Sequence, residues 1–171
     1  MTLITDIIIE NYAWKRIIAN SLSGGELPLW NPYLFAGAPF LAAGQHSAYY
    51  PFSLLFLVLP LTKAYGWFTV SQLWLAGVLM YVFGRILKMR RGSAVLAGLV
   101  YQGAGFMVIS AAVFPMIIAA AVWLPLLLGC IEKIVQGSRV KILWLAIGAA
   151  ALGVQIFAGH VEITYYTLLL M

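Results

Sequence analysis

Asp6 and Glu10 are the first residues of the chain able to do acid–base work. They are four apart, so a helix through residues 5–22 puts both carboxylates on one face. Lys15 and Arg16 follow, cations suited to a phosphate or to the headgroup level of a bilayer. The two histidines lie far along: His46, preceded by Gln45 and followed by Tyr49 and Tyr50, and His160, two residues before Glu162. Carboxylates and imidazoles move protons near neutral pH, and ammonium or guanidinium groups steady a leaving phosphate. A metal site from Asp6, Glu10 and a histidine lacks any HExxH-like spacing, and His160 and Glu162 on a helix would not share a face. No resident cofactor is therefore expected, a divalent ion being left open. The single cysteine, Cys130, lies in an apolar run and supports neither a disulfide nor a zinc site.

The elements that must position these residues belong to a membrane. Of 171 residues, 64% are hydrophobic and 9% charged, with a mean hydropathy of +0.99. A soluble domain of this length could not bury so much apolar surface. The net charge of +5 does not suggest nucleic acid, because the basic residues fall between apolar runs. The fold class expected is all-α integral membrane, a polytopic transmembrane helix bundle with an extracytoplasmic first loop. Spans are expected at about 65–87, 93–111, 114–131 and 142–158, with a truncated fifth from 161. The run 52–61, bracketed by Pro51 and Pro60, is too short to cross and reads as interfacial or re-entrant. Small residues (Ala94, Gly98, Gly103 and Gly105; Ala149 and Gly153) suit close helix packing, and Pro125 should kink the third span.

Orientation follows from the cations. Arg85, Lys88, Arg90 and Arg91 follow the first span, and Lys133, Arg139 and Lys141 follow the third. Alternation puts both loops on one side, cytoplasmic by the positive-inside rule. Asp6, Glu10, Glu26, Glu162 and both histidines then collect on the other side. That is a polar constellation at one mouth of an apolar bundle, where an enzyme of lipid-linked substrates would place its site.

Residues 1–64 form the outer segment. Thr5 can cap the helix 5–22 and Gly24-Gly25 can end it. Ile8, Tyr12, Ala19 and Leu22 make its apolar stripe, and Trp14, Lys15 and Arg16 suit the headgroups, so the helix should lie along the membrane surface. The loop 25–51 carries Pro28, Pro32, Pro39 and Pro51 yet is rich in Trp, Tyr and Phe, a composition expected of an ordered, functional loop. Trp30 and Asn31 sit next to Pro32, which restrains their backbone.

The loop GELPLWNPYLFAGAPFLAAGQHSAYYP, followed by LAGVLMY, AVWLPLLL and FAGHVEITYY, resembles the YfhO family of bacterial membrane proteins, which look like GT-C glycosyltransferases. The resemblance covers nearly the whole chain in order. It implies a polyprenyl-phosphate sugar donor, a cell-envelope glycopolymer acceptor such as a teichoic-acid-type polymer, and membrane lipid around the bundle. It also makes Asp6 the counterpart of the acid near the start of the family's first outer loop. Val161 departs from a pattern in which proline commonly follows Gly-His. The family is several times longer and has a span before this loop. With a C-terminus inside an apolar run and no signal-peptide layout at the N-terminus, the chain is expected to be a fragment.

For transfer from a lipid phosphate, Asp6 is the candidate base and Glu10 its helper. Lys15, Arg16, His46 and His160 are candidate phosphate contacts, and Trp30, Tyr49 and Tyr50 sugar platforms; Asn31, Gln45 and Glu162 complete the polar set. Each has a plainer reading. Asp6 suits a helix start, Glu10 a solvated face, Lys15 and Arg16 interfacial anchoring, Trp30 and Asn31 the loop fold, and the histidines structural hydrogen bonds. A transporter or lipid flippase, or a non-catalytic membrane scaffold, remains the alternative function.

Overall fold

The computed structural model describes residues 12–33, 36–40, 42, 44–137 and 140–171. Asp6, Ile8 and Glu10, the Thr5 cap and the rest of the expected helix before residue 12, together with Arg139, lie outside the described residues. The described elements are α1 (Ala13–Ser23), a β1–β2 ribbon (Trp30–Asn31 and Ala38–Pro39), a 3-10 turn (Pro51–Leu54) and α2 (Leu55–Val58). They continue with α3 (Leu61–Ile86), α4 (Arg91–Gln102), α5 (Gly105–Val113), α6 (Pro115–Ala121), α7 (Leu124–Val135), α8 (Lys141–Phe157) and α9 (Val161–Leu170). Among the described residues two helical stretches, Leu61–Ile86 and Pro115–Val135, are long and apolar enough to cross a membrane. A third appears if α4 and α5, bent by 44° at their junction, count as one.

Each break has a local cause. Gly103 and Gly105 flank Ala104, whose backbone turns extended (ψ 139°), so the expected span 93–111 is corrected to two helices meeting at an angle. Phe114 precedes Pro115, which disfavours the helical region for it, and its ψ of 83° separates α5 from α6. The third span breaks at Val122–Trp123, with Pro125 in the first turn of α7. Proline has no N–H to offer the carbonyl four residues back, that of Ala121; that oxygen instead accepts from the Tyr101 hydroxyl at 3.1 Å.

Helix α1 ends as expected. Gly25 takes φ +75°, and Glu26 N bonds Ser21 O at 2.9 Å while Gly25 N bonds Leu22 O at 3.1 Å, a Schellman closure. Its inward face differs from the expected stripe: Lys15 and Ile18 are the buried residues, while Tyr12, Ala19 and Leu22 are half-buried. The run after Pro51 forms only the 3-10 turn and α2, too short to cross.

Small residues at a helix–helix contact let the two backbones approach closely. The α3–α4 pair shows this: Gly77 faces Gly98 and Gly84 faces Ala94, an antiparallel pairing. A Cβ on Gly98 would lie 2.6 Å from the Gly77 carbonyl oxygen. On α7, Gly129 receives Ile86 and Cys130 packs on Gly148 of α8. The Ala149–Gly153 pair is not used in this way, since Ala149 is exposed and the space beside Gly153 is open. The turn after α3 and the end of α7 thus lie at one end of the helices, and the loop 44–50 packs at the other. The buried apolar residues form two clusters, one around Tyr50, Phe56, Phe68 and Ala158, the other around Ala76, Met107, Ile118 and Val122.

Candidate functional site

The loop before Pro51 is folded onto the ends of the helices. Ser47 adopts φ +53°, and its hydroxyl donates to the Ala158 carbonyl at 2.6 Å. Gly159, at φ +84°, terminates α8, and a Cβ there would overlap the Gly44 carbonyl oxygen. Two chain segments more than a hundred residues apart therefore touch backbone to backbone. His160 follows directly and caps α9, its Nδ1 accepting from Ile163 N at 3.4 Å. Tyr49 leans edge-on against Phe157, ring centroids 6.0 Å apart.

Lys15 locks α1 to this loop. Its side chain points inward, at 5% exposure. The ammonium donates to the His46 carbonyl at 2.9 Å and to Ser53 Oγ at 3.2 Å, and sits 4.8 Å from the centre of the Phe56 ring. Ser53 Oγ in turn donates to the Ser47 carbonyl at 2.6 Å. Interfacial anchoring of Lys15 is thereby corrected: in a helix, adjacent residues point about 100° apart, and it is Arg16 that is exposed. Burial disfavours the charged form, and the Lys15 ammonium is pushed down from 10.5 to about 7.

His46 is also buried. Its ring stacks on Phe40 at 4.5 Å, and Nδ1 accepts from Ala48 N at 3.0 Å, which places the proton of the neutral ring on Nε2. Tyr50 is enclosed: its hydroxyl donates to Gln72 Oε1 at 2.7 Å and accepts from Trp123 Nε1 at 3.3 Å. Burial raises its pKa well above the usual phenol range. Tyr50 is thus a neutral tie between the loop, α3 and the break in the third span, not an open sugar platform. Removing the hydroxyl (Tyr50→Phe) strands both partners in apolar surroundings and is expected to cost about 1–3 kcal/mol. A thermal-unfolding midpoint unchanged by that substitution would refute the tie.

The other candidates are dispersed. Asn31 Oδ1 accepts from Tyr33 N at 2.9 Å, an Asx turn that shapes the ribbon. The exposed Trp30 ring covers Gly37, where a Cβ would lie 2.6 Å from the ring. Gln45, Arg16 and Glu162 are exposed. The structure brings together Lys15, His46, Tyr49, Tyr50 and His160 in one loop-to-helix junction. Ser47, Ser53, Gln72, Trp123 and Gly159 belong to it as well. Of these only Gln72 had a readable signal, a carboxamide inside an apolar span. No group of three or more His, Cys, Asp or Glu suited to a metal ion occurs among the described residues.

Comparison of the chain with known protein families, with characterised proteins and with solved structures finds no match.

Proposed function

We propose that the chain is part of an integral membrane GT-C-like glycosyltransferase, a polytopic bundle whose outer loop works outside the cytoplasm on a polyprenyl-phosphate sugar. The acceptor hydroxyl oxygen attacks the anomeric carbon, the bond from that carbon to the phosphate oxygen breaks, and the acceptor proton passes to the Asp6 carboxylate. The lipid phosphate leaves as an anion, steadied by the half-buried His160 imidazole, while the buried His46 helps to hold the loop. Lys15, with its donors committed to the loop, acts as a positioning residue. Trp30 and Tyr49, both exposed, are the sugar-facing aromatics.

The observation that carries this reading is the anchored loop. A cation, two imidazoles and several aromatics are held on one junction at the end of apolar helices by the contacts of Lys15, Ser47 and Gly159. Preorganised groups at a bilayer surface are what transfer from a lipid phosphate requires. An apolar cleft of about 300 Å³ also opens where α4 and α5 bend, between Tyr101, Met107, Ala121, Leu124, Ile163 and Tyr166. It suits an isoprenoid chain.

In the full-length protein, Asp6→Asn is expected to abolish sugar modification of the cell envelope, measured by glycan analysis of the purified polymer. Modification at the wild-type level in that variant would overturn the enzymatic reading. A transporter draws less support: the buried Gln72 side chain is bonded at both ends of its amide, Oε1 accepting from Tyr50 and Nε2 donating to Ser71.

A further inference from the structure

The opposite end of the helices carries a cluster of cations that the glycosyltransferase reading does not use. Arg85 lies in the last turn of α3, Lys88 and Arg90 in the turn that follows, and Arg91 opens α4; all four are exposed, as is Lys141 at the start of α8, while Lys133 near the end of α7 is half-buried. Among the described residues the only side-chain carboxylate at this end is Glu132, and its Oε1 accepts from Gln136 Nε2. Like charges so placed repel one another unless an anion lies among them.

The turn has a fixed shape. Lys88 takes φ +63°; Lys88 N bonds Arg85 O at 3.1 Å and Met89 N bonds Gly84 O at 3.0 Å, a Schellman closure in which lysine takes the place usual for glycine. Arg85 Nη1 braces it by donating to the Met89 carbonyl at 2.6 Å. The contact of Ile86 with Gly129 brings α7 alongside, and Lys133, one turn beyond Gly129, shares that face. Cys130 against Gly148 sets α8 next to α7, so Lys141 reaches the same end. Leu87, Val95, Leu96, Val135 and Ile142, all exposed, border the cations.

We propose that this cluster is a docking surface for the headgroups of anionic phospholipids. The phosphate lies against Lys88, Arg90, Arg91, Lys133 and Lys141, and the acyl chains run along the bordering apolar residues. Charge complementarity selects the anion, and the adjoining apolar faces select an amphiphile over a soluble anion. The proposal rests on these helices lying in a bilayer and not on the sugar chemistry at the other end.

The test is native mass spectrometry of the full chain released from nanodiscs of equal parts phosphatidylglycerol and phosphatidylcholine. The wild type is expected to retain phosphatidylglycerol in preference by at least about fivefold, the gain of one basic residue near an anionic surface. Changing Lys88, Arg90 and Arg91 together to glutamine should bring retention to near parity, while Lys63→Gln at the opposite end should leave the preference intact. Salt gives the same readout without substitution, because about 1 M shortens the screening length to about 3 Å and should erase the preference. Equal retention of the two lipids by the wild type, or a preference that survives the triple change or high salt, overturns the proposal. Displacement of the lipid by inorganic phosphate at equal concentration also overturns it, in favour of a free-anion site. Extraction of the protein by alkaline carbonate would instead sink the bilayer reading, and this proposal with it.

Discussion

Raising the pH from 7 to 10 is expected to tighten the docking of α1, in contrast to the weakening that loss of a surface cation would produce. Lys15 is pushed down from 10.5 to about 7 by burial. When α1 undocks, the amine returns to water and to its ordinary proton affinity. Between these values the undocked state holds a proton that the docked state lacks, so docking strengthens as pH rises. It is weakest and flat below about pH 7, and levels off above about pH 10.5. At about 1.4 kcal/mol for each tenfold change in proton affinity, the full span is about 5 kcal/mol.

Hydrogen exchange of the amides in 13–23, corrected for the intrinsic pH dependence of exchange, reads this directly. Lys15→Met should flatten the profile and protect α1 more than wild type at pH 6. A methionine fills similar space without a charge to desolvate, an advantage reduced by the orphaned His46 carbonyl. A wild-type profile that does not change with pH, or one that Lys15→Met leaves intact, would show that burial of the ammonium does not govern α1.

Gly159→Ala is expected to unseat the loop 44–47 from the junction of α8 and α9. The alanine would hold a left-handed backbone at φ +84° and press its Cβ into the Gly44 carbonyl. Strain and overlap together cost roughly 2–5 kcal/mol. Gly137 is the matched control: it too has a positive φ, +75°, but nothing lies within 4 Å of its added Cβ. Gly137→Ala should therefore lose only the conformational part, about 1 kcal/mol. The readouts are the thermal midpoint and protease cleavage within 36–45, which should quicken only in the Gly159 variant. Equal losses in the two variants would mean that the backbone contact with Gly44 contributes nothing.

Much of the fold is legible residue by residue, because its causes are local. Gly24-Gly25 closes α1 through the φ that only glycine takes freely. Pro51 and Pro60 bracket a run too short to cross, and the apolar length of α3 needs no tertiary context to be read as a span. The bends were legible less well. Pro125 marks the break in the third span to within a turn. In sequence the glycines at 103 and 105 read as packing residues, whereas in the fold they flank a 44° bend, since small residues serve both purposes and only neighbouring helices choose between them.

The candidate site was legible as a set of residue types, and hardly at all as an arrangement. Composition and spacing by themselves determined that the chain is apolar, helical and divided into basic turns and a proline-bearing, aromatic loop, because hydropathy and charge act along the sequence. Only the tertiary structure decided that Lys15 points inward and Arg16 outward, that Tyr50 is a buried tie, and that Ser47 and Gly44 meet Ala158 and Gly159. Those outcomes depend on pairings whose hydrogen bonds join residues 22 to 111 apart along the chain. In such pairings close contact, desolvation and hydrogen-bond supply are set by the partner and leave no trace in the local pattern.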